Sequence, residues 1–430
     1  MSVEVLHMAG RQLMTLGLNV NQLPVDKLQA VMEPAFRQAG LRKSQPGTVQ
    51  SILVLLFDAV GDTVLTTGFI RELRRAYPQA YIAVMVRPTV ADLWEYCPYI
   101  NERILYDERR FKSDQQAAWR ELLELAETRL WARQFDLCIS KLWGWAQLRN
   151  EIRLVEYLSG AKERVDFSNT VFNVYGDFGA KPDFAEELLT KALVSPPEYI
   201  HEAARIFYVL EALGHPPRDT SMELWLSRQD RLRAEAQLAL PLSRQQPCVA
   251  VGLGAGTPNR KYPPKLLAEA LRQILVQYPR LCFVIIGGAG EQAAAAELAR
   301  DLPPATVVNL AGRTSLRETC AALDVCRLYI GNDTGTLHIA AALQKPVLAF
   351  FRDPLDKDDF LPGVFSGYHR FAPWQVPFVA LRPEKALDEC REEIIYGGCF
   401  AKSAHCIATI PSEKVVAAFM ALWERTREDF

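Results

Sequence analysis

The turn Asp58-Ala-Val-Gly-Asp62 follows the apolar run Ser51–Phe57 and precedes a helix-like segment. Gly61 permits a tight turn there. A carboxylate at such a strand end, facing a cleft, can take a proton from a sugar hydroxyl. Asp62 is equally well suited to cap the helix that follows, and the residues leave both readings open. A second segment, Gly331-Asn-Asp-Thr-Gly-Thr-Leu-His338, opens the helix-like run Thr336–Leu343. Thr334, Gly335 and Thr336 are small enough for a ligand to reach the backbone. N–H groups at a helix start suit an anionic phosphate, and His338 could donate to the same phosphate. A plain capped helix behind the Asp333-Thr-Gly turn is the alternative.

Two more glycine-rich turns follow apolar runs. Gly254-Ala-Gly-Thr-Pro-Asn-Arg-Lys261 places Arg260 and Lys261 beside Gly254, Gly256 and Thr257. Two cations and an open backbone can hold a diphosphate; solvated cations on a polar loop would look the same. Gly287 and Gly288 lie in Gly287-Gly-Ala-Gly-Glu291, where a nucleoside would lie at a sheet edge. Each glycine-rich turn alone is weak, since such turns occur throughout strand–helix folds.

The elements that must position these turns alternate strand and helix. Ser51–Phe57, Tyr81–Val86, Arg103–Tyr106 and Phe135–Ser140 read as strands, with helices over Thr63–Tyr77 and Ser113–Arg133. The pattern restarts with strands at Cys248–Leu253, Cys282–Ile286, Val307–Leu310, Leu328–Ile330 and Val347–Phe351. Continuous apolar runs alternating with helices imply parallel sheets with right-handed crossovers. The expected architecture is α/β, with two doubly wound Rossmann-like domains facing a cleft. Residues 1–49 form an N-terminal helical extension, 50–228 the first domain, 229–411 the second, and 412–430 a C-terminal helix packing back on the first domain. The extension is either packed on the body or an oligomer contact; Arg37, Arg42 and Lys43 also suit a membrane-surface or partner arm.

The length of 430 residues fits two domains, and 49% hydrophobic with 23% charged residues fits a globular chain. A net charge of −2 supplies no global positive field for nucleic acid. No apolar run reaches membrane-spanning length, and Met1–Val20 lacks signal-peptide features. A cytoplasmic location is expected, with peripheral contact at the inner face of the membrane open. The nine cysteines do not suggest a disulfide framework. Cys390, Cys399 and Cys406, with His405, could ligate structural zinc or iron, or be ordinary loop thiols.

Taken together and in this order, the motifs resemble glycosyltransferase family 9, the ADP-heptose:lipopolysaccharide heptosyltransferases. Phe57-Asp-Ala-Val-Gly-Asp62, Ala76-Tyr-Pro-Gln-Ala80, Leu158-Ser-Gly-Ala161 and above all Gly331–His338 with Ala340–Leu343 carry the likeness. It spans about residues 51–425. The resemblance implies the GT-B fold and inverting transfer from a nucleotide-sugar, usually ADP-heptose, without a catalytic cofactor. It matches Asp62 to a general base, and Asp333, Thr334, Gly335 and His338 to the nucleotide-diphosphate site. Arg260 falls where many relatives carry Lys. A glycolipid or glycan acceptor, such as the lipopolysaccharide core, would face the first domain. Relatives usually continue the fourth strand with Asp-x-Gln-Gly near the acceptor, whereas this chain has Ser140-Lys-Leu-Trp-Gly-Trp145. Lys141, Trp143 and Trp145 are therefore acceptor candidates, or plain core in the case of the tryptophans. Many relatives have Cys residues near the C-terminus at a different spacing, and some that glycosylate autotransporter proteins carry a metal-binding Cys cluster in this region. Transfer of the sugar to a protein or small molecule, nucleotide-sugar epimerisation, and non-catalytic nucleotide-sugar binding are the competing functions.

Overall fold

Strands buried on both faces need apolar side chains at every position, and SILVLL, CVAVG and CFVII supply them. The computed structural model describes residues 24–42, 48–141, 150–168, 184–194, 200–356, 367–388 and 401–426. It contains two six-stranded sheets whose paired strands are all parallel. The first comprises β1 (Ser51–Leu56), β2 (Tyr81–Val86), β3 (Glu102–Leu105), β4 (Leu137–Ile139), β5 (Glu163–Phe167) and β6 (Lys191–Leu193), in the order β3-β2-β1-β4-β5-β6. The second comprises β7 (Cys248–Gly252), β8 (Cys282–Ile286), β9 (Val307–Asn309), β10 (Leu328–Asn332), β11 (Val347–Phe350) and β12 (Phe378–Leu381), in the order β12-β11-β10-β7-β8-β9. Both sheets therefore share one topology. Strand order reverses between β1 and β4 in the first and between β7 and β10 in the second. Ligands of doubly wound sheets bind beyond the carboxyl ends of the strands at such reversals.

Among the described residues, the α-helices of six residues or more are α1 (Val25–Gln38), α2 (Val60–Leu65), α3 (Thr67–Ala76), α4 (Gln115–Leu125), α5 (Asn150–Leu158), α6 (Glu202–Ala212), α7 (Arg228–Gln237), α8 (Pro264–Gln277), α9 (Gln292–Arg300), α10 (Leu316–Val325), α11 (Gly335–Ala342) and α12 (Ser412–Thr426). Three apolar clusters hold them. The central cluster takes residues from both sheets, including Ile52, Val54 and Leu56 of β1 and Ala250 and Val284 of the second sheet. It also takes Val64 of α2, Phe207 of α6, Leu323 of α10 and Leu337 of α11. The second cluster covers the outer face of the first sheet, where Leu28, Met32 and Phe36 of α1 meet Trp131, Leu154 and Tyr157. Arg42 lies over the Phe36 and Tyr157 rings at 4.1 and 4.6 Å and donates to Glu33. One of the cations that suggested a surface arm is thus used inside the fold. Arg37 is exposed, and Lys43 lies outside the described residues.

Three elements differ from expectation. The segment Thr63–Tyr77 is two helices, broken where the Thr66 hydroxyl donates to the Thr63 carbonyl at 2.6 Å. The segment Ser113–Arg133 starts at Gln115, because the Asp114 carboxylate accepts the Ala117 N–H at 3.0 Å and caps α4. The final helix packs on the second sheet and not on the first domain. Val415, Phe419, Leu422 and Trp423 form its apolar stripe and join the outer cluster of α8 and the second sheet. Tyr278, just after α8, meets Phe419 and Trp423 at 6.1 and 6.0 Å and donates to Glu424 at 2.7 Å. No described helix is long and apolar enough to cross a membrane.

Candidate active site

On the first sheet, the chain leaves β1 through Phe57 and buried Asp58 into α2. Ala59 is the N-cap of α2, and no side chain bonds to the cap. Asp62 is the third helical residue and half-buried, so the N-cap role does not explain it. Lys141 arrives from β4, the neighbour of β1 across the strand-order reversal. Its ammonium lies 3.1 Å from Asp58 Oδ2 and donates to the Asp62 carbonyl at 2.9 Å.

On the second sheet, β7 and β10 flank the corresponding reversal. The Asn332 side chain ties their two loops together. It donates to Leu253 O at 3.0 Å and accepts from Tyr262 N–H at 2.8 Å. Tyr262 stacks on Phe350 at 4.2 Å, which fixes the end of the Gly254–Lys261 loop. Thr334 is the N-cap of α11 and makes no side-chain cap bond. The Gly335 and Thr336 N–H groups therefore lie at an uncapped helix start, where partial positive charge is concentrated. Thr336 itself is held by Tyr329, hydroxyl to hydroxyl, at 2.8 Å.

The charged groups around α11 are already arranged. Arg260 Nη1 lies 3.4 Å from Asp333 Oδ2. Burial pushes the Asp333 carboxyl up to about 6; Arg260 opposes this, while the Asp353 and Asp62 carboxylates add to it. Lys261 pairs with Glu291 at 3.0 Å, and the same carboxylate accepts the Gly288 N–H at 3.0 Å. Gly254 also faces Glu291, whereas nothing lies within 4 Å of the open face of Gly256. A β-carbon at Gly287 would meet Glu291 at 2.9 Å. Glu291 thus joins two of the sequence-predicted loops. Its signal was present as the first acidic residue after Gly287-Gly-Ala-Gly, though nothing in the sequence marked its partner.

The two halves of the site meet directly. A β-carbon built on Gly61 would come within 2.8 Å of His338 Cδ2, and one on Gly335 within 2.8 Å of Val60 Cγ1. The start of α2 therefore lies against the start of α11. His338 is buried in this joint, edge-on to Phe371 at 6.2 Å, and its Nδ1 has no partner among the described residues. Burial, with a further contribution from His201, depresses its pKa to about 3. The ring is neutral at ordinary pH. His201 braces the same joint by stacking on Trp374 at 4.5 Å and bonding to Ala372 O at 2.8 Å. Arg317 of α10 pairs with Asp230 of α7 and donates to Asp92 O of the first domain at 3.0 Å.

Trp143 and Trp145 lie outside the described residues, as do Cys390 and Cys399. Cys406 is buried, with Sγ 4.0 Å from His405 Nδ1. Among the described residues no group of three or more His, Cys, Asp or Glu side chains is arranged to hold a metal.

The family model for glycosyltransferase family 9 (heptosyltransferase) matches residues 184–358. Lipopolysaccharide heptosyltransferase 2 of Escherichia coli (strain K12) is 24% identical over 363 residues, covering 79% of this chain and 97% of that protein. A putative glycosyltransferase of Haemophilus influenzae is 23% identical over 307 residues, covering 70% and 82%. Among solved structures, a family 9 glycosyl transferase from Veillonella parvula superposes with TM-score 0.67 at 19% identity, covering 87% of this chain and 97% of that one. ADP-heptose lps heptosyltransferase II of E. coli gives TM-score 0.63 at 20% identity, covering 88% and 100%. These structures share the two-sheet GT-B fold. By family model, curated relatives and fold, the chain resembles glycosyltransferase family 9 and is a heptosyltransferase-like glycosyltransferase.

Proposed function

We propose that the enzyme transfers heptose from ADP-heptose, with inversion, to a hydroxyl of the lipopolysaccharide core or a related glycan. One observation carries this reading: the Asp62 turn abuts the uncapped start of α11 across the domain joint. A base and an anion-binding helix end then share one cleft. In this reading residues 50–228 take the acceptor and the second domain takes the donor. Gly254, Gly256, Thr257, Gly287 and Gly288 let the nucleotide approach the backbone. The N–H groups near Thr334, Gly335 and Thr336 receive the diphosphate, with Arg260 and Lys261 released from their carboxylates to it.

The acceptor oxygen attacks the anomeric carbon as the bond from that carbon to the diphosphate oxygen breaks. Asp62 takes the hydroxyl proton, and ADP leaves with the bonding pair. Charge growing on the leaving diphosphate is stabilised by the α11 dipole and Arg260. His338 serves as a neutral hydrogen-bond donor, since burial keeps it uncharged. Before the donor arrives, the Asp333 side chain holds Arg260 beside the start of α11. The acceptor glycolipid would bring the enzyme to the inner face of the cytoplasmic membrane.

The test is ADP release from ADP-heptose with a core-oligosaccharide acceptor, alongside calorimetric ADP binding. Asp62→Asn should lose at least about a hundredfold in turnover, the scale of a lost general base, while ADP affinity stays within about twofold. Undiminished turnover in Asp62→Asn removes the base assignment. Tighter binding of UDP or GDP than of ADP moves the donor.

A further inference from the structure

Lys141 can be read as a hand held out to the acceptor, but its ammonium is already engaged. Both of its partners belong to the β1–α2 turn: the Asp58 carboxylate at 3.1 Å and the Asp62 carbonyl at 2.9 Å. The second contact has a structural reason. Helix α2 ends at Leu65, and the Thr66 N–H donates to the Thr63 carbonyl at 3.2 Å, not to Asp62. The Asp62 carbonyl is therefore one of the orphaned acceptors of a helix end. It receives the Thr66 hydroxyl at 3.3 Å and the Lys141 ammonium at 2.9 Å. A cation is the favoured partner for such carbonyls.

Lys141 is itself fastened from behind. The Ser140 N–H donates to Val165 O at 3.1 Å, and the Ser140 hydroxyl donates to buried Asp166. Arg153 of α5 holds the same carboxylate and donates to Phe167 O at 2.6 Å. A braced path of polar contacts thus runs from α5 and β5 through β4 to the turn that bears Asp62. Asp58 is 8% exposed. Its carboxylate has Lys141 as its cationic partner, and removing Lys141 leaves that charge buried without it.

We propose that Asp58 and Lys141 form a positioning pair that fixes the Asp62 turn against the donor domain, and that Lys141 does not bind the acceptor. This rests on the reading of Asp62 as the base. Misplacing a reacting group by about 1 Å can cost on the order of a hundredfold in rate, so loosening the turn should appear in kcat.

The variants are Lys141→Met, Lys141→Arg, Asp58→Asn and the double Asp58→Asn/Lys141→Met, all in the full chain. In steady-state transfer from ADP-heptose, Lys141→Met and Asp58→Asn should each lower kcat by roughly 10- to 100-fold, with acceptor KM within about twofold. The double variant should be no slower than the slower single one, and Lys141→Arg should recover most of the rate. A raised acceptor KM at unchanged kcat in Lys141→Met overturns the proposal, as do multiplying losses in the double variant.

Amide hydrogen exchange separates this from failure of the base assignment, because it needs no turnover. The Thr63 and Thr66 amides should exchange at least about threefold faster in Lys141→Met and Asp58→Asn, with the second-domain amides unchanged. Unchanged exchange in that turn overturns the pair whatever Asp62→Asn does. Wild-type turnover in Asp62→Asn together with faster exchange in the pair variants would reject the base and leave the mechanical link standing.

Discussion

Replacing Gly61 by alanine places a methyl carbon 2.8 Å from His338 Cδ2 and 3.4 Å from the Gly335 α-carbon. Ordinary contact begins near 3.4 Å, so α2 and α11 must part by about 3.4 − 2.8 = 0.6 Å, or His338 must yield. His338 is buried against Phe371 and has little room to turn. Overpacking of this kind costs roughly 1–3 kcal/mol. Opposing it, alanine is better than glycine within a helix by roughly 0.5–1 kcal/mol. The net expectation is a loss of up to about 2.5 kcal/mol. The sign should reverse once the obstacle is gone: in a His338→Ala background, Gly61→Ala should stabilise by roughly 0.5–1 kcal/mol. Urea unfolding of the four proteins in the cycle measures this. A cost for Gly61→Ala that is the same in both backgrounds would refute the account of the joint. The same displacement of about 0.6 Å would carry Asp62 away from the start of α11, so turnover of the single variant should fall by roughly an order of magnitude.

Three further outcomes follow from the charges and packing described. Asp333 releases its proton near 3.8 when unfolded and about 6 when folded, so the native state loses stability as pH rises through that window. The stability of Asp333→Asn relative to wild type should therefore grow from near zero at pH about 4 to at most about 3 kcal/mol at pH about 7; a difference that shrinks with pH contradicts it. His338 has the opposite sense: its folded pKa of about 3 lies below the ordinary imidazole value of 6.5, so stability present above 6.5 is lost as pH falls. His338→Gln should flatten that acid-side loss, read as the variant-minus-wild-type difference because Asp333 runs the other way between about pH 4 and 6. Phe36→Ala, which strips α1 of its contact with Trp131 and Tyr157 and removes the ring beneath Arg42, should cost about 3 kcal/mol in urea unfolding; a cost under roughly 0.5 kcal/mol would mean α1 does not support the first sheet.

The strands legible in the sequence are those whose burial on both faces leaves an unbroken apolar run, such as β1, β2, β7 and β8. Strands β5 and β6 carry ERVDF and KAL and gave no such signal. Their charges are hidden instead by long-range partners: Asp166 by Arg153, and Arg164 by the carbonyls of Leu188 and Ala161. The break at Thr66 was invisible because it depends on one hydroxyl. The turns around Asp62 and Asp333 were legible as local patterns of small and acidic residues. Their mutual contact was not, since Gly61 and His338 are brought together only by the docking of two domains. The same applies to the uncharged state of His338 and the pairing of Lys261 with Glu291. The stripe of Val415, Phe419 and Trp423 says that the last helix packs but not on what, so its place on the second sheet is not legible in the sequence.

The central apolar cluster belongs to neither sheet alone. Cutting the chain near Ser227 would divide this cluster, with Leu65 and Phe207 on one piece and Leu323 and Leu337 on the other. The halves would then behave as complementary fragments that seek each other, and neither would be an independent module. Exchange of one half for that of a relative would face the same demand: the incoming piece must match this shared interior as well as bring its own sugar chemistry.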